Sequence, residues 1–364
     1  MIRVAPSPPA SRHSMKSLLL ALSALAAALP SPAPAADSPV RIAKWKGDAK
    51  GAVSLYYDDG LDSGFNNAVP ELVRRGLPGT FYICCNWFGG DPANPKLARW
   101  SVAKEHPDTI FLGDHTWAHG GVTNAAQFAE EISLNGAMLR KIAGLPEDAL
   151  LSFALPGAVR WDVKPDEQAK VLAEHHEVLR HDFGGNVGGP KDGQNPTFRM
   201  KTAALAAEAF DRAEKDGGWE SLIFHGVGGD WITFDLEEHG KMLDDLEARA
   251  KAGRLWVGSA IDVHKYETER DAAKLQVLKA SDAGYDVLLP GLDPAKEGSL
   301  GLLYDCPLTI VCDAPAGWTK ARVVCRRPAI VGKQWADLEV PVEDGRIVFA
   351  PPREWIGFSV LPVR

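Results

Sequence analysis

Two short polar clusters carry the residue types that could do chemistry: Asp58-Asp59-Gly60 and His115-Thr116-Trp117-Ala118-His119. A third imidazole, His225, closes an apolar run further along. One carboxylate with two imidazoles is a donor set for a divalent cation that leaves a position open for water. A second carboxylate and another imidazole beside it could move protons, so the set as a whole suits metal-assisted hydrolysis. Each motif alone has an ordinary explanation. Asp-Asp-Gly also makes a strand-to-loop turn, and histidines four apart are as often a surface pair as a ligand pair. Histidines four apart, as His115 and His119 are, can aim both rings at one point from a helical turn.

The elements that must position these residues are legible as alternating patterns. Seven apolar segments read as short buried strands: Ala52–Tyr57, Thr80–Cys85, Thr109–Leu112, Ser152–Leu155, Val178–Asp182, Ser221–Phe224 and Leu255–Val257. Helical patterns lie between most of them, at Asn67–Arg75, Asn124–Ala143, Asp166–His175, Met200–Lys215 and Leu236–Ala252, with capping-box spacing at Asn124 and Gln127. This alternation predicts an α/β fold of parallel strands with helices outside, and parallel (β/α) barrels gather their chemistry at the carboxyl ends of the strands. Asp58 and Asp59 follow the first strand, His115 and His119 the third and Pro156 the fourth. Arg180 and Asp182 end the fifth, and His225 ends the sixth. Five separate segments therefore deliver polar groups to one rim.

At these residues the chain resembles a known family. Ser54-Leu55-Tyr56-Tyr57-Asp58-Asp59-Gly60 is similar to the Thr-Phe-Asp-Asp-Gly motif of the polysaccharide deacetylases, the NodB-homology family also called carbohydrate esterase family four. His115-Thr116-Trp117-Ala118-His119 is similar to its His-Ser/Thr-x-x-His motif, and Leu222-Ile223-Phe224-His225 to its Leu-x-Leu-His motif. The resemblance covers roughly residues 48 to 266. It implies a distorted seven-stranded (β/α) barrel and a divalent cation, usually Zn2+, held by Asp59, His115 and His119. It also implies Asp58 as general base, His225 as general acid, and a backbone N–H near Pro156-Gly157 that holds an oxyanion.

The family's Arg-x-Pro-Tyr motif is altered here to Phe153-Ala154-Leu155-Pro156-Gly157, which lacks the arginine that would pair with the base. Some branches draw that arginine from the following strand. Val178-Leu179-Arg180-His181-Asp182 fits that form, which makes Arg180 the expected partner of Asp58 and Asp182 a weaker candidate to orient His225; Arg160 is the competing source. Trp87, Trp117, Trp161 and Trp231 fall in or after rim loops, where an indole could stack on a sugar, with Trp117 and Trp231 the chosen substrate-binding candidates. Asp114 is a candidate second hydrogen-bond partner behind the histidines, and Asp230 a candidate cleft residue. The function implied is a metal-dependent carbohydrate deacetylase, a hydrolase of carbon–nitrogen bonds other than peptide bonds, acting on N-acetyl or O-acetyl groups of a glycan. Its rivals are an O-acetyl polysaccharide esterase and a catalytically impaired glycan-binding barrel.

Composition bounds the rest. Residues 1–36 read as a signal peptide, in which Lys16 precedes an apolar run too short to span a bilayer and a small-residue cleavage site follows. The mature chain is thus expected to be secreted or periplasmic and not membrane-spanning. About 330 residues then remain, enough for a large domain over 37–268 and an appendage over 269–364. The appendage reads as a small all-β sandwich, with short strand-like pieces broken by Gly and Pro and a hairpin turn at Asp344-Gly345. A net charge of −8 without a long basic run argues against nucleic acid as a partner. Of five cysteines, Cys306, Cys312 and Cys325 are spaced for one bridge, and Cys84 and Cys85 for buried thiols.

Overall fold

The computed structural model describes residues 38–157, 159–180, 186–187, 201–289, 306–328, 337–352 and 355–363. The signal segment 1–36, Asp182 and the strand-like run Ser299–Tyr304 lie outside the described residues.

The chain opens on β1 (Val40–Ile42) and then builds the parallel sheet: β2 (Gly51–Tyr57), β3 (Gly79–Ile83), β4 (Ile110–Asp114), β5 (Leu151–Phe153), β6 (Glu177–Leu179), β7 (Asn186–Val187), β8 (Trp219–Phe224) and β9 (Leu255–Val257). Their order is β6-β5-β4-β3-β2-β8-β7, with β9 also on β2, and every pairing in this sheet is parallel. The result is a half-barrel, the distorted (β/α) form. One edge of β2 pairs with β8 along its length, whereas the opposite edge is shared. Residues 51–53 pair with β9 and residues 56–57 with β3. β2 is therefore the central strand, and all seven of its residues are buried, as expected of a parallel strand covered on both faces.

Alternation divides its side chains. Val53, Leu55 and Tyr57 pack in one cluster with Leu72, Phe210, Leu243 and Leu246. Ala52 and Tyr56 belong to a separate cluster with Tyr82, Trp219 and Ile223. Each such large apolar side chain contributes roughly 1.5–3 kcal/mol by leaving water.

The helices α1 (Val69–Arg75), α4 (Ala125–Ala143), α6 (Ala203–Asp216), α7 (Leu236–Lys251) and two short turns α2 (Pro95–Ala98) and α3 (Val102–Glu105) pack on the cluster of Val53, Leu55 and Tyr57, whereas α5 (Pro165–Glu174) packs Val171 and Leu172 with Phe128 and Phe153 in a cluster of its own; α8 (Ala260–Ala272) ends the series. The start of α4 is fixed as its spacing predicts, because the Asn124 side chain accepts from the Gln127 N–H at 2.9 Å. The Gln127 side chain accepts from Thr123 N–H one residue earlier than a standard box requires. Gly144, at φ 68°, takes the left-handed stop.

All remaining strands are antiparallel: β10 (Gln276–Ser281), β11 (Gly284–Leu288), β12 (Ile310–Asp313), β13 (Lys320–Pro328), β14 (Asp337–Pro341), β15 (Arg346–Phe349) and β16 (Trp355–Pro362). They form a five-stranded sheet, β10-β11-β16-β13-β14, and a three-stranded one, β1-β12-β15. Apolar residues of both, among them Val287, Val323, Phe358, Ile310 and Ile347, share one buried cluster. β1 thus joins the carboxyl-terminal sheet although it precedes the parallel one. The expected bridge is absent, since none of the five cysteines is in a disulfide, and Cys312 and Cys325 pack in the apolar cluster. No helix among the described residues is long and apolar enough to cross a membrane.

Candidate metal centre

Asp58 and Asp59 leave the end of β2, His115 the end of β4 and His225 the end of β8, and Arg180 directly follows β6, so one rim of the sheet collects them. His115 Nε2 and His119 Nε2 stand 3.4 Å and 3.5 Å from the same oxygen, Oδ1 of Asp59. Those spacings are long for charge-assisted hydrogen bonds. They match the roughly 3.3 Å between ligand atoms of a tetrahedral cation whose bonds are about 2.0–2.1 Å. Asp59 Oδ1 is buried with no hydrogen-bond partner, and the ligand atoms of Asp59, His115 and His119 all lie within 4.8 Å of one another. A buried lone pair left unpaired is costly, and a cation would satisfy it.

Tautomer and charge suit the same reading. His115 Nδ1 lies 2.7 Å from the Ala154 carbonyl, which can only accept, so Nδ1 carries the proton and Nε2 keeps its lone pair. Burial, with the charge of neighbouring His115, pulls the His119 imidazole below its ordinary value and favours the neutral ligand form. The residues present fit a divalent cation.

The two histidines do not converge from a helical turn, as their spacing suggested, but from a loop with strained backbone. Asp59 (φ 74°), Thr116 (φ 65°) and His119 (φ 53°) all occupy the left-handed region, where a β-branched threonine is a genuine outlier. Asp114 holds that loop: its Oδ1 accepts from Thr116 N–H at 2.7 Å and from Asn135 Nδ2 at 3.0 Å, and Thr116 Oγ1 accepts from His119 N–H at 3.0 Å. Burial pushes the Asp114 carboxyl up to about 7 beside the buried Glu177.

Asp58 is gripped separately. Arg180 donates to both its oxygens, at 2.6 Å and 3.1 Å, and the guanidinium lies 4.7 Å from the Tyr82 ring centre and 5.5 Å from that of Tyr56. Burial alone would raise the Asp58 carboxyl, yet the Arg180 charge, then that of His115, takes it below the ordinary carboxylate range. Arg160 is elsewhere, exposed and paired with Asp162 at 2.7 Å.

His225 Nε2 stands 3.8 Å from Asp59 Oδ2, and Trp231 donates its indole N–H to that oxygen at 3.1 Å. Trp231 also meets the His225 ring edge-on, with centroids 5.0 Å apart. Trp87 lies 5.2 Å from His119, ring to ring. These are the two aromatics among the large exposed apolar residues described, at 47% and 51% for Trp87 and Trp231.

No family model and no curated protein matches the chain. It is similar to solved structures of the CE4 family. One is a CE4 family pseudoenzyme from Bacillus anthracis, at 13% identity over 62% of this chain and 69% of that one, with a TM-score of 0.40. Another is the Xyl-CE4 domain of a multidomain xylanase from the hindgut metagenome of Trinervitermes trinervoides, at 15% over 60% and 91%, also 0.40. A third is a family 4 carbohydrate esterase from Streptomyces lividans in complex with acetate, at 19% over 58% and 93%, again 0.40.

The other expected residues are distributed around this centre. Pro156 is buried, its carbonyl accepting from Trp161 Nε1 at 3.0 Å, and Gly157 is exposed. Trp117 packs its ring against the core and so closely over Gly90 that a Cβ there would collide with it. Asp230 accepts from Ser63 N–H at 2.6 Å, and Asp62 is bridged to Lys96 and Arg99, each at 2.7 Å. Tyr56 under Arg180 was readable in principle, since it sits two residues before Asp58 and strand alternation gives both one face. Asn135 carried no such signal. It lies inside α4, buried, and joins Ile83 O, Cys85 N and Asp114 across three elements.

Proposed function

We propose that this protein is an exported, metal-dependent hydrolase that removes acetyl groups from a glycan, a polysaccharide deacetylase of the NodB-homology kind. The observation that carries the reading is the buried, unpartnered Oδ1 of Asp59 facing two imidazole Nε2 atoms. A divalent cation held by Asp59, His115 and His119, zinc being the natural choice for one oxygen and two nitrogens, would supply a Lewis acid for the acetyl carbonyl and acidify the attacking water.

The remaining steps belong to the chain. Asp58, kept ionised by Arg180, accepts the proton of the water. The Gly157 N–H supports the oxyanion of the tetrahedral intermediate. His225 delivers a proton to the departing amine or alcohol, without which an amine leaves poorly. Trp87 and Trp231 give the cleft two half-exposed indole faces suited to the apolar face of a sugar ring. The leader read in residues 1–36 would bring the enzyme to an extracytoplasmic glycan.

Zinc content and acetate release, measured together over N-acetylated chitin oligomers and O-acetylated xylan, test this directly and separate amide from ester preference. Asp58→Asn should abolish acetate release and keep the metal, whereas His119→Ala should lose both. Full turnover by Asp58→Asn would remove the base assignment, and metal-free turnover would remove the whole reading.

A further inference from the structure

The two oxygens of Asp59 have different surroundings. Oδ1 faces His115 and His119 without a hydrogen bond, while Oδ2 receives the Trp231 indole N–H at 3.1 Å, with His225 Nε2 3.8 Å away. We propose that Trp231 is a positioning residue that occupies Oδ2 of Asp59, reserving Oδ1 for the cation and leaving His225 Nε2 free to serve the leaving group. The inference rests on the metal site proposed above. A carboxylate free to turn would offer either oxygen to an ion, and its second oxygen would pair with the nearby imidazole. An indole N–H is a donor only and carries no charge, so it satisfies Oδ2 without competing for the cation. The edge-on contact of the same ring with His225 fixes the imidazole on its other side.

The loop that carries Trp231 is built to hold it. Asp230 (φ 59°) and Ile232 (φ 46°) flank the tryptophan in the left-handed region, a conformation that a β-branched isoleucine adopts only when its surroundings impose it. Those surroundings are visible. Ser63 N–H donates to Asp230 Oδ2 at 2.6 Å, Ser63 Oγ to Gly229 O at 3.0 Å, Gly229 N–H to Thr233 Oγ1 at 2.9 Å and Gly226 N–H to Trp231 O at 3.3 Å. At Gly226 a Cβ would run into the Gly229 carbonyl oxygen, so the loop closes only over glycine. A half-exposed side chain needs no such frame for packing alone.

Trp231→Phe keeps a ring and removes the donor. In the full-length protein, zinc affinity by chelator competition should fall about tenfold, the size typical of partners behind a metal ligand, and the visible spectrum of the cobalt-loaded variant should shift. Melting in excess chelator should match wild type. Trp231→Gln, which restores an N–H, should bind zinc more tightly than Trp231→Phe; it decides alone if the phenylalanine variant melts early. A Trp231→Phe protein with wild-type zinc affinity and cobalt spectrum would overturn the inference, as would a Trp231→Gln variant as weak as His119→Ala. Wild type that takes up no metal would instead remove the metal site itself.

Discussion

The base of the proposed reaction is governed by one guanidinium. Arg180 contacts both oxygens of Asp58, and its charge outweighs a burial that pushes the carboxyl the other way. Taking the arginine away leaves burial in charge, so Arg180→Ala should raise the Asp58 pKa, move the acid limb of kcat/KM toward neutral pH and lower the plateau by roughly 100-fold. Lysine should not restore it, because a single ammonium cannot reproduce the forked contact. A pH–rate profile with an unmoved acid limb would separate Arg180 from the base. The place of Arg180 on the rim was legible because it ends a strand-like run, and its pairing with Asp58 because the family resemblance leaves the motif arginine to be drawn from that strand. The donation from Trp231 to Asp59 was not: a loop residue's direction depends on left-handed backbone at Asp230 and Ile232, which neither side-chain type announces. The same holds for Thr116, whose strain replaces the helical turn that the histidine spacing suggested.

At the scale of elements, α7 is clamped to the sheet by a titratable group. His239 is fully buried, hydrogen-bonded to Tyr57 OH at 2.9 Å and edged by Phe224 and Phe234, and burial pulls its pKa to about 4. The folded value lies below the unfolded one, near 6.5. The neutral ring therefore stabilises the fold above about pH 6.5, and that contribution is lost as pH falls toward 4, up to about 3 kcal/mol. His239→Phe, with Tyr57 OH left unpartnered, should melt below wild type at pH 7 by about 1–3 kcal/mol, and the gap should narrow or reverse at pH 4.5. Parallel melting curves at both pH values would exclude this linkage. The long helices α4, α6 and α7 could be read from their period, and α4 from its Asn124 cap as well; the structure adds Thr202 and Asp235 as caps, each accepting from the first turn of α6 or α7. α8 escaped, because its buried apolar face is only Ala260, Val263 and Tyr266 amid charges, too narrow a stripe for a 3.6-residue period to stand out. Pro95–Ala98 and Val102–Glu105, single turns, carry no period at all.

For the whole molecule, the parallel and antiparallel parts are tied by chain that precedes both. β1 completes the sheet with β12, Ala43 N–H donates to Thr309 O at 2.8 Å, and the hydroxyl of Tyr266, on α8, donates to Ala43 O at 2.9 Å. Arg346 on β15 reaches Asp48 at 2.8 Å just before the central strand begins. A three-residue strand has too little pattern to show in a sequence, so residues 37–268 read as barrel alone while their first strand lies in the other sheet. Because unfolding either part strips partners from the other, the full chain should melt in one calorimetric transition whose van't Hoff and calorimetric enthalpies agree. Truncation after Ala273 would uncover Val40 and Tyr266 and leave the edge of β1 unpaired, an invitation to aggregate. The shortened chain should therefore be poorly soluble or melt well below the full one, even though every proposed metal ligand remains in it. Two resolved transitions in the intact protein, or a truncated one that melts unchanged and binds zinc normally, would show instead that the barrel stands alone.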